Sequence, residues 1–229
     1  MSSTSTSSRL WDFSLLNFPL RTAGLAFLVA GLSYLVANLG GAFVVRPEMV
    51  WPFWPGNVML LSVLLLAERR MWPLLIVAGL SGFAIYDFQA GLSLRVISLL
   101  VLADGVEIII AAFSIRYLFE GIPKLNTVRN FARYSLFVVF LAPASAAFIG
   151  ALTTNGSYWT GWRVAYLAEA LGLLVLMPAI FGLIEHFSSP RVKPRSYYLE
   201  AALLFACLSS LGLLTVALHS RTSAPLLVY

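Results

Sequence analysis

Two acidic side chains lie in the middle of a long apolar run, and they are the residues of this sequence best suited to chemistry. The run covers 94–117 and reads LRVISLLVLADGVEIIIAAFSIRY, with Asp104 and Glu107 near its centre. At a spacing of three residues, both side chains project from one face of a helix. A carboxylate inside a membrane costs several kcal/mol unless it is protonated, paired or hydrated. The pair therefore predicts an intramembrane centre that responds to a proton, a cation or another ligand.

The same pair has a structural alternative, which the sequence leaves open. The two carboxyl groups could only make hydrogen bonds to polar residues on neighbouring helices, such as Asn57, Tyr86 or Gln89. No lysine or arginine is predicted at the same depth to pair with them. Glu169, in a second apolar run, could join the centre or make a separate structural contact. Asp87, at the end of a third run, is interpreted as a solvated boundary residue.

A second group of residues with chemical potential is the stretch 51–57, which reads WPFWPGN. Two Trp-Pro pairs followed by Gly and Asn predict a rigid, bent entry into a helix. Trp54 and Asn57 could line a cavity that opens outward. Alternatively, the tryptophans could belong to the aromatic belt at a membrane interface. The sequence favours neither reading over the other.

Other residues with catalytic or metal-binding potential are isolated. His186 and His219 are predicted at opposite faces of the membrane, so they cannot share a metal or a haem. Cys207 is the single cysteine, which excludes a disulfide framework and a thiolate metal site. No glycine-rich phosphate loop, Ser-His-Asp order or HExxH pattern is present. The sequence predicts no metal, no cofactor and no enzyme activity for this chain.

The composition indicates a membrane protein. Of 229 residues, 60% are hydrophobic and 11% are charged, whereas soluble domains carry about 25% charged residues. A water-soluble core is therefore excluded. The net charge of +5 is explained by basic residues in cytoplasmic loops rather than by nucleic-acid binding.

Hydropathy predicts an all-α, polytopic transmembrane helical bundle with seven complete spans and the start of an eighth. The expected domains are a disordered or interfacial segment, 1–19, and a transmembrane domain, 20–229, that is cut within the eighth span. Span five carries Ala142, Ala146 and Gly150 at four-residue spacing, a ladder that lets a neighbouring helix approach closely. The spans are predicted at 20–38, 51–67, 71–86, 94–117, 134–152, 163–184 and 197–218, with the eighth beginning at Ala224.

The distribution of basic residues predicts the orientation. With a cytoplasmic N-terminus, eleven of the 15 Lys and Arg side chains lie inside and four lie outside. Because basic residues favour cytoplasmic loops, this count predicts a multi-pass protein of the bacterial inner membrane with its N-terminus in the cytoplasm.

Three separate motifs resemble those of the MASE1 family. The first is WPGN at 54–57, followed by ERRMWP at 68–73, which is similar to the "WP-x-G … RR-x-WP" beginning of that family. The second is ADGVE at 103–107, similar to its Asn/Asp-x-x-Glu segment. The third is LAEALG at 167–172 before Met177-Pro178, similar to its "GDALG…TP" signature, with Glu169 where Asp is usual.

This resemblance implies a bacterial integral-membrane sensory domain. Its expected partners are the lipid bilayer, a C-terminal cytoplasmic histidine kinase or diguanylate cyclase, and an unidentified small-molecule or ion ligand. Homodimerisation is left open, and no nucleic acid is expected. The candidate sensing residues are Asp104, Glu107, Glu169, Trp54 and Asn57. The alternative function is a small-solute or ion transporter that uses the same intramembrane carboxylates for coupling.

Overall fold

The structure, a computed structural model, describes residues 12–42, 54–119, 121–154 and 156–188. These residues form helices joined by short connections and contain no strand, which confirms the predicted all-α class. The chain divides into two units, Met1–Phe181 and Gly182–Tyr229, and the second is described only as far as Ser188. The α-helices are α1 (Asp12–Gly41), α2 (Gly56–Leu66), α3 (Trp72–Gln89), α4 (Leu94–Leu118), α5 (Val128–Tyr134), α6 (Ala142–Gly150) and α7 (Tyr158–Ser188).

Five helical stretches of the described chain are long and apolar enough to cross a membrane. They correspond to the first, third, fourth, fifth and sixth predicted spans. The predicted spans at 197–218 and from Ala224 onward lie outside the described residues, as do residues 1–11 of the expected N-terminal segment. The five stretches are Arg21–Gly41, Arg69–Gln89, Leu94–Leu118, Val128–Thr153 and Tyr158–His186.

Helix α2 is shorter than the second predicted span. That span was expected at 51–67, but the helix has 11 residues, Gly56–Leu66, and covers about 16 Å of a core about 30 Å thick. Trp54 and Pro55 are not helical, and Pro55 has no N–H with which to extend the helix toward the N-terminus. Leu60, Leu61 and Leu64 are almost completely buried. A short apolar helix therefore stands inside the bundle.

Helices α1 and α3 run in the same direction and touch at a glycine. A Cβ atom on Gly82 would collide with the backbone of α1 at Ala30 and Tyr34. Further along both helices, Gly41 lies against the Tyr86 hydroxyl group. Helix α2 belongs to the part of the chain that connects these two parallel neighbours.

The segment from Val128 to Thr153 is one continuous helix with a π-helical stretch, Ser135–Leu141, between α5 and α6. The small-residue ladder Ala142, Ala146 and Gly150 is buried, and α6 packs against α4. The π-helical stretch was not predicted from the sequence. The π-helical stretch directly precedes the ladder, which packs against α4. Helix α4 in turn carries two of the candidate site residues, Asp104 and Glu107.

Candidate acidic centre within the membrane

Asn57 joins three helices at the start of α2. Its side-chain Nδ2 donates one hydrogen bond to Oδ1 of Asp104 on α4, at 3.0 Å, and another to Oε2 of Glu169 on α7, at 3.2 Å. Asn57 occupies the first turn of α2 because the helix begins directly after Pro55. Three predicted site residues, from three separate parts of the sequence, therefore meet at one point.

Glu107 lies one helical turn beyond Asp104 on α4, and it is only 1% exposed. It is close enough to Asp104 and Glu169 for their charges to interact when the groups are ionised. Neither Oε1 nor Oε2 of Glu107 accepts a hydrogen bond. We call Asn57, Asp104, Glu107 and Glu169 the acidic centre.

The acidic centre lies near the middle of the helices that form it. Asp104 follows the first residue of α4, Leu94, by ten residues, or about 15 Å. Glu169 follows the first residue of α7, Tyr158, by eleven residues, or about 16 Å. Glu169 is thus deeper than predicted, because α7 begins five residues before the expected start at residue 163. Both depths are about half of a hydrocarbon core about 30 Å thick.

Acceptors outnumber donors in the acidic centre. The two N–H groups of Asn57 serve Asp104 and Glu169, and the Asn57 Oδ1 atom accepts no hydrogen bond although the residue is 1% exposed. Within the part of the chain that the structure describes, no Lys, Arg or His side chain forms an ion pair with these carboxyl groups. Buried acceptors without donors cost free energy. When its carboxyl groups are ionised, the centre therefore lowers the stability of the fold.

Asp87 corrects an expectation from the sequence. It was interpreted as a solvated boundary residue, but it is buried, with 7% of its surface exposed, and its charge acts on Asp104. The burial of Asp87 was indicated by its spacing from other residues of α3. Asp87 follows the buried residues Leu75, Gly79 and Phe83 at steps of four, which places all of them on the core-facing side of α3.

Trp54 packs inside the bundle at the entrance to α2. Its ring contacts Phe83 and Tyr86 of α3, with centroid distances of 6.0 and 6.2 Å. Its carbonyl oxygen lies so close to Gly172 of α7 that a Cβ atom there would approach it to 2.9 Å. Trp54 therefore places the entry to α2 between α3 and α7.

The C-terminal end of α2 is held by donors. The indole Nε1 of Trp72 donates to the carbonyl oxygen of Leu64 at 2.8 Å. Arg116 of α4 donates from Nη2 to the carbonyl oxygens of Leu65 and Ala67, at 3.1 and 3.3 Å. The last carbonyl groups of a helix lack partners within the helix, and a cation next to them is favourable. Sequence reasoning did not identify Trp72 or Arg116 as partners of α2.

The chemistry that this arrangement supports is the uptake of positive charge. Carboxyl groups this close repel one another when ionised in a site of low dielectric, so a proton or a bound cation relieves that repulsion. In the described residues, no group of three or more His, Cys, Asp or Glu side chains has a geometry that could hold a metal ion.

The fold and the acidic centre define a polytopic α-helical membrane protein with a cluster of carboxyl groups inside it. The chain belongs to the MASE1 family, whose model matches residues 25–229. MASE1 is a family of membrane sensory domains that are not catalytic, so the chain is a membrane sensor involved in signal transduction. This confirms the resemblance drawn from the three motifs. Searches of curated proteins and of solved structures give no match.

Proposed function

We propose that the acidic centre is the signal-responsive element of this sensory domain, and that the domain controls a C-terminal cytoplasmic histidine kinase or diguanylate cyclase. The hydrogen bonds from Asn57 to Asp104 and Glu169 are the main support, because they tie α2, α4 and α7 to one group of carboxyls. A change of charge at this group alters the contacts between three helices at once.

The proposed mechanism is a small rotation or slide of these helices. When Asp104 or Glu169 gains or loses a positive partner, its hydrogen bond to Asn57 changes in strength. Helix α2 then shifts relative to α4 and α7, and the later spans carry this shift to the cytoplasmic output domain. A stimulus can move such an equilibrium only through its different affinity for the two states.

The experiment uses the full-length protein with Asp104→Asn or Glu107→Gln. Both substitutions keep the shape of the side chain and fix it in a neutral form. We expect normal insertion and folding, with the output activity locked in one state across a range of external pH. Glu68→Gln is the matched control, since Glu68 is exposed and pairs with Arg70 at the other end of α2. If both neutral variants respond to the stimulus like the parent protein, the carboxyl groups are structural and the proposal is wrong.

A transporter is the second candidate, and the short helix α2 is the observation that favours it. Helices that cover only part of the membrane often form the binding sites of secondary transporters. Reconstitution in liposomes separates the two functions. A transporter would carry protons or cations down an imposed gradient, and Asp104→Asn would abolish that flux, whereas a sensor gives no flux above that of empty liposomes.

A further inference from the structure

We propose that the acidic centre binds a primary ammonium group, so that the stimulus is a small organic amine in its protonated form. This inference rests on the proposed function and names the class of ligand for the same site. Two observations carry it, namely the buried acceptors that have no donor and the absence of a basic partner for the carboxyl groups in the described chain.

The free acceptors match the donors of an ammonium group in number. Asn57 Oδ1 and both carboxylate oxygens of Glu107 are buried and accept no hydrogen bond. A primary ammonium group carries three N–H donors and no acceptor. A proton on Glu107 would supply a single donor and leave the remaining acceptors without partners. An ammonium group therefore gives all three of these acceptors a donor from one atom.

The charges of the ionised carboxyl groups around the centre favour a cation. Asp104 and Glu169 are only half-buried and flank the enclosed Glu107, so the centre keeps accessible surface. Asp87, near the end of α3, is a further carboxyl group that adds negative charge near Asp104 when it is ionised. An anion would be repelled here, and the described residues have no geometry for a metal ion.

Trp54 and Phe83 add a feature that suits an organic cation. Their rings lie edge to face beside the first turn of α2, and a Cβ atom on Gly56 would meet both of them. Aromatic faces attract ammonium groups and also accept their alkyl substituents.

The test compares three chloride salts at equal ionic strength on the purified chain in a non-ionic detergent. Methylammonium chloride should raise the thermal unfolding midpoint by several degrees and give a saturable calorimetric signal. Tetramethylammonium has the charge but no N–H donor, and sodium has neither donors nor an alkyl group, so neither should have this effect. An equal shift with all three salts, or no shift with methylammonium, would overturn the inference.

Methylammonium binding by single-residue variants tests where the ammonium group binds. Glu107→Gln removes one charge and one acceptor, so methylammonium binding should weaken at least about tenfold. Asp87→Asn should cause a smaller loss, and the control Glu68→Gln should cause none. Binding by Glu107→Gln that equals that of the parent would disprove the assignment. A larger loss with Asp87→Asn than with Glu107→Gln would place the site at the end of α3 and would also disprove it.

The affinity should depend on pH with a defined sign. The groups that face Glu107 are Asp104 on α4, Glu169 on α7 and Asn57 on α2, with Asp87 on α3 acting through Asp104. Protonation of these carboxyls removes the charge that attracts the ammonium group, so binding should weaken as the pH falls. Binding that strengthens at low pH would contradict the inference.

The output assay separates this inference from the proposed function. If external pH drives the output of the full-length protein and methylammonium does not bind, the inference fails and the proposed function stands. If methylammonium binds as expected and none of the acidic-centre variants changes the output, the inference stands and the proposed function fails.

Discussion

The two ends of α2 form opposite kinds of hydrogen bond with neighbouring residues: the C-terminal end accepts them and the N-terminal end donates them. At the C-terminal end, the indole of Trp72 and the guanidinium of Arg116 give donors to free carbonyl groups, and the Arg116 Cζ atom lies 5.7 Å from the centroid of the Trp72 ring. The Nε atom of Arg116 is the one polar atom of these two side chains that is buried without a partner in the described structure. At the N-terminal end, Asn57 is the donor, and acceptors remain unpaired around it.

This difference separates an anchor from a responsive site. Hydrogen bonds between a cation and helix carbonyls stabilise one arrangement of α2. Unpaired acceptors and neighbouring carboxyl groups instead make the energy of the other end depend on what binds there. One helix thus carries a fixed end and a variable end, about 16 Å apart. This asymmetry supports the view of α2 as the element that moves.

The largest expected effect concerns the side of the membrane on which each loop of the chain lies. A periplasm-active reporter fused after Thr154 should give full signal, and the same reporter after Lys124 should give none. The reason is the excess of basic residues in the predicted cytoplasmic loops. The opposite pattern would reverse the assignment of every loop.

Removing the anchor should reduce stability by an intermediate amount. Arg116→Met keeps much of the apolar stem but removes the donors to Leu65 and Ala67, which should lower the free energy of unfolding by about 1.5–3 kcal/mol. Denaturant titration in detergent would measure the change. The control Arg70→Met, which breaks an exposed ion pair, should cost at most about 1 kcal/mol. Equal losses in the two variants would remove the distinction between the ends of α2.

The smallest expected change in stability is at the variable end. Glu107→Gln replaces one unpaired acceptor by a donor, so the free energy of unfolding should change by less than about 1 kcal/mol, or rise. Glu107→Ala should instead cost about 2 kcal/mol, since it leaves a cavity in a packed region. The same titration compares the two variants. A loss with Glu107→Gln as large as that with Arg116→Met would show that the N-terminal end of α2 is an anchor too.

Much of the fold could be predicted because hydropathy and length determine a membrane helix. The run predicted at 94–117 corresponds to helix Leu94–Leu118, and the run at 71–86 to helix Trp72–Gln89. The late start of α2 at Gly56 was missed, because the two Trp-Pro pairs and the phenylalanine before it were counted as part of the apolar span. The π-helical stretch was missed as well, since it depends on packing rather than on composition.

The candidate site was predictable in part. Asp104, Glu107 and Glu169 stood out because charge is rare in apolar runs, and Asn57 was noticed as a polar residue in a helix entrance. The hydrogen bonds that join them could not be derived, since they require the relative rotation of three helices. Asp87 was assigned to solvent from its position at a helix end, although its spacing from Gly79 and Phe83 indicated the core.

The π-helical stretch Ser135–Leu141 has a consequence for insertions and deletions in the gene. Buried residues occur every fourth position at Tyr134, Val138, Ala142, Ala146 and Gly150. In a regular α-helix, each such step drifts by about 40° around the axis, but wider π turns offset this drift. Loss of one codon between 135 and 141 would remove the extra residue. The segment would then close as a regular α-helix, in which seven residues complete about two turns, so its face of small residues would still point toward α4.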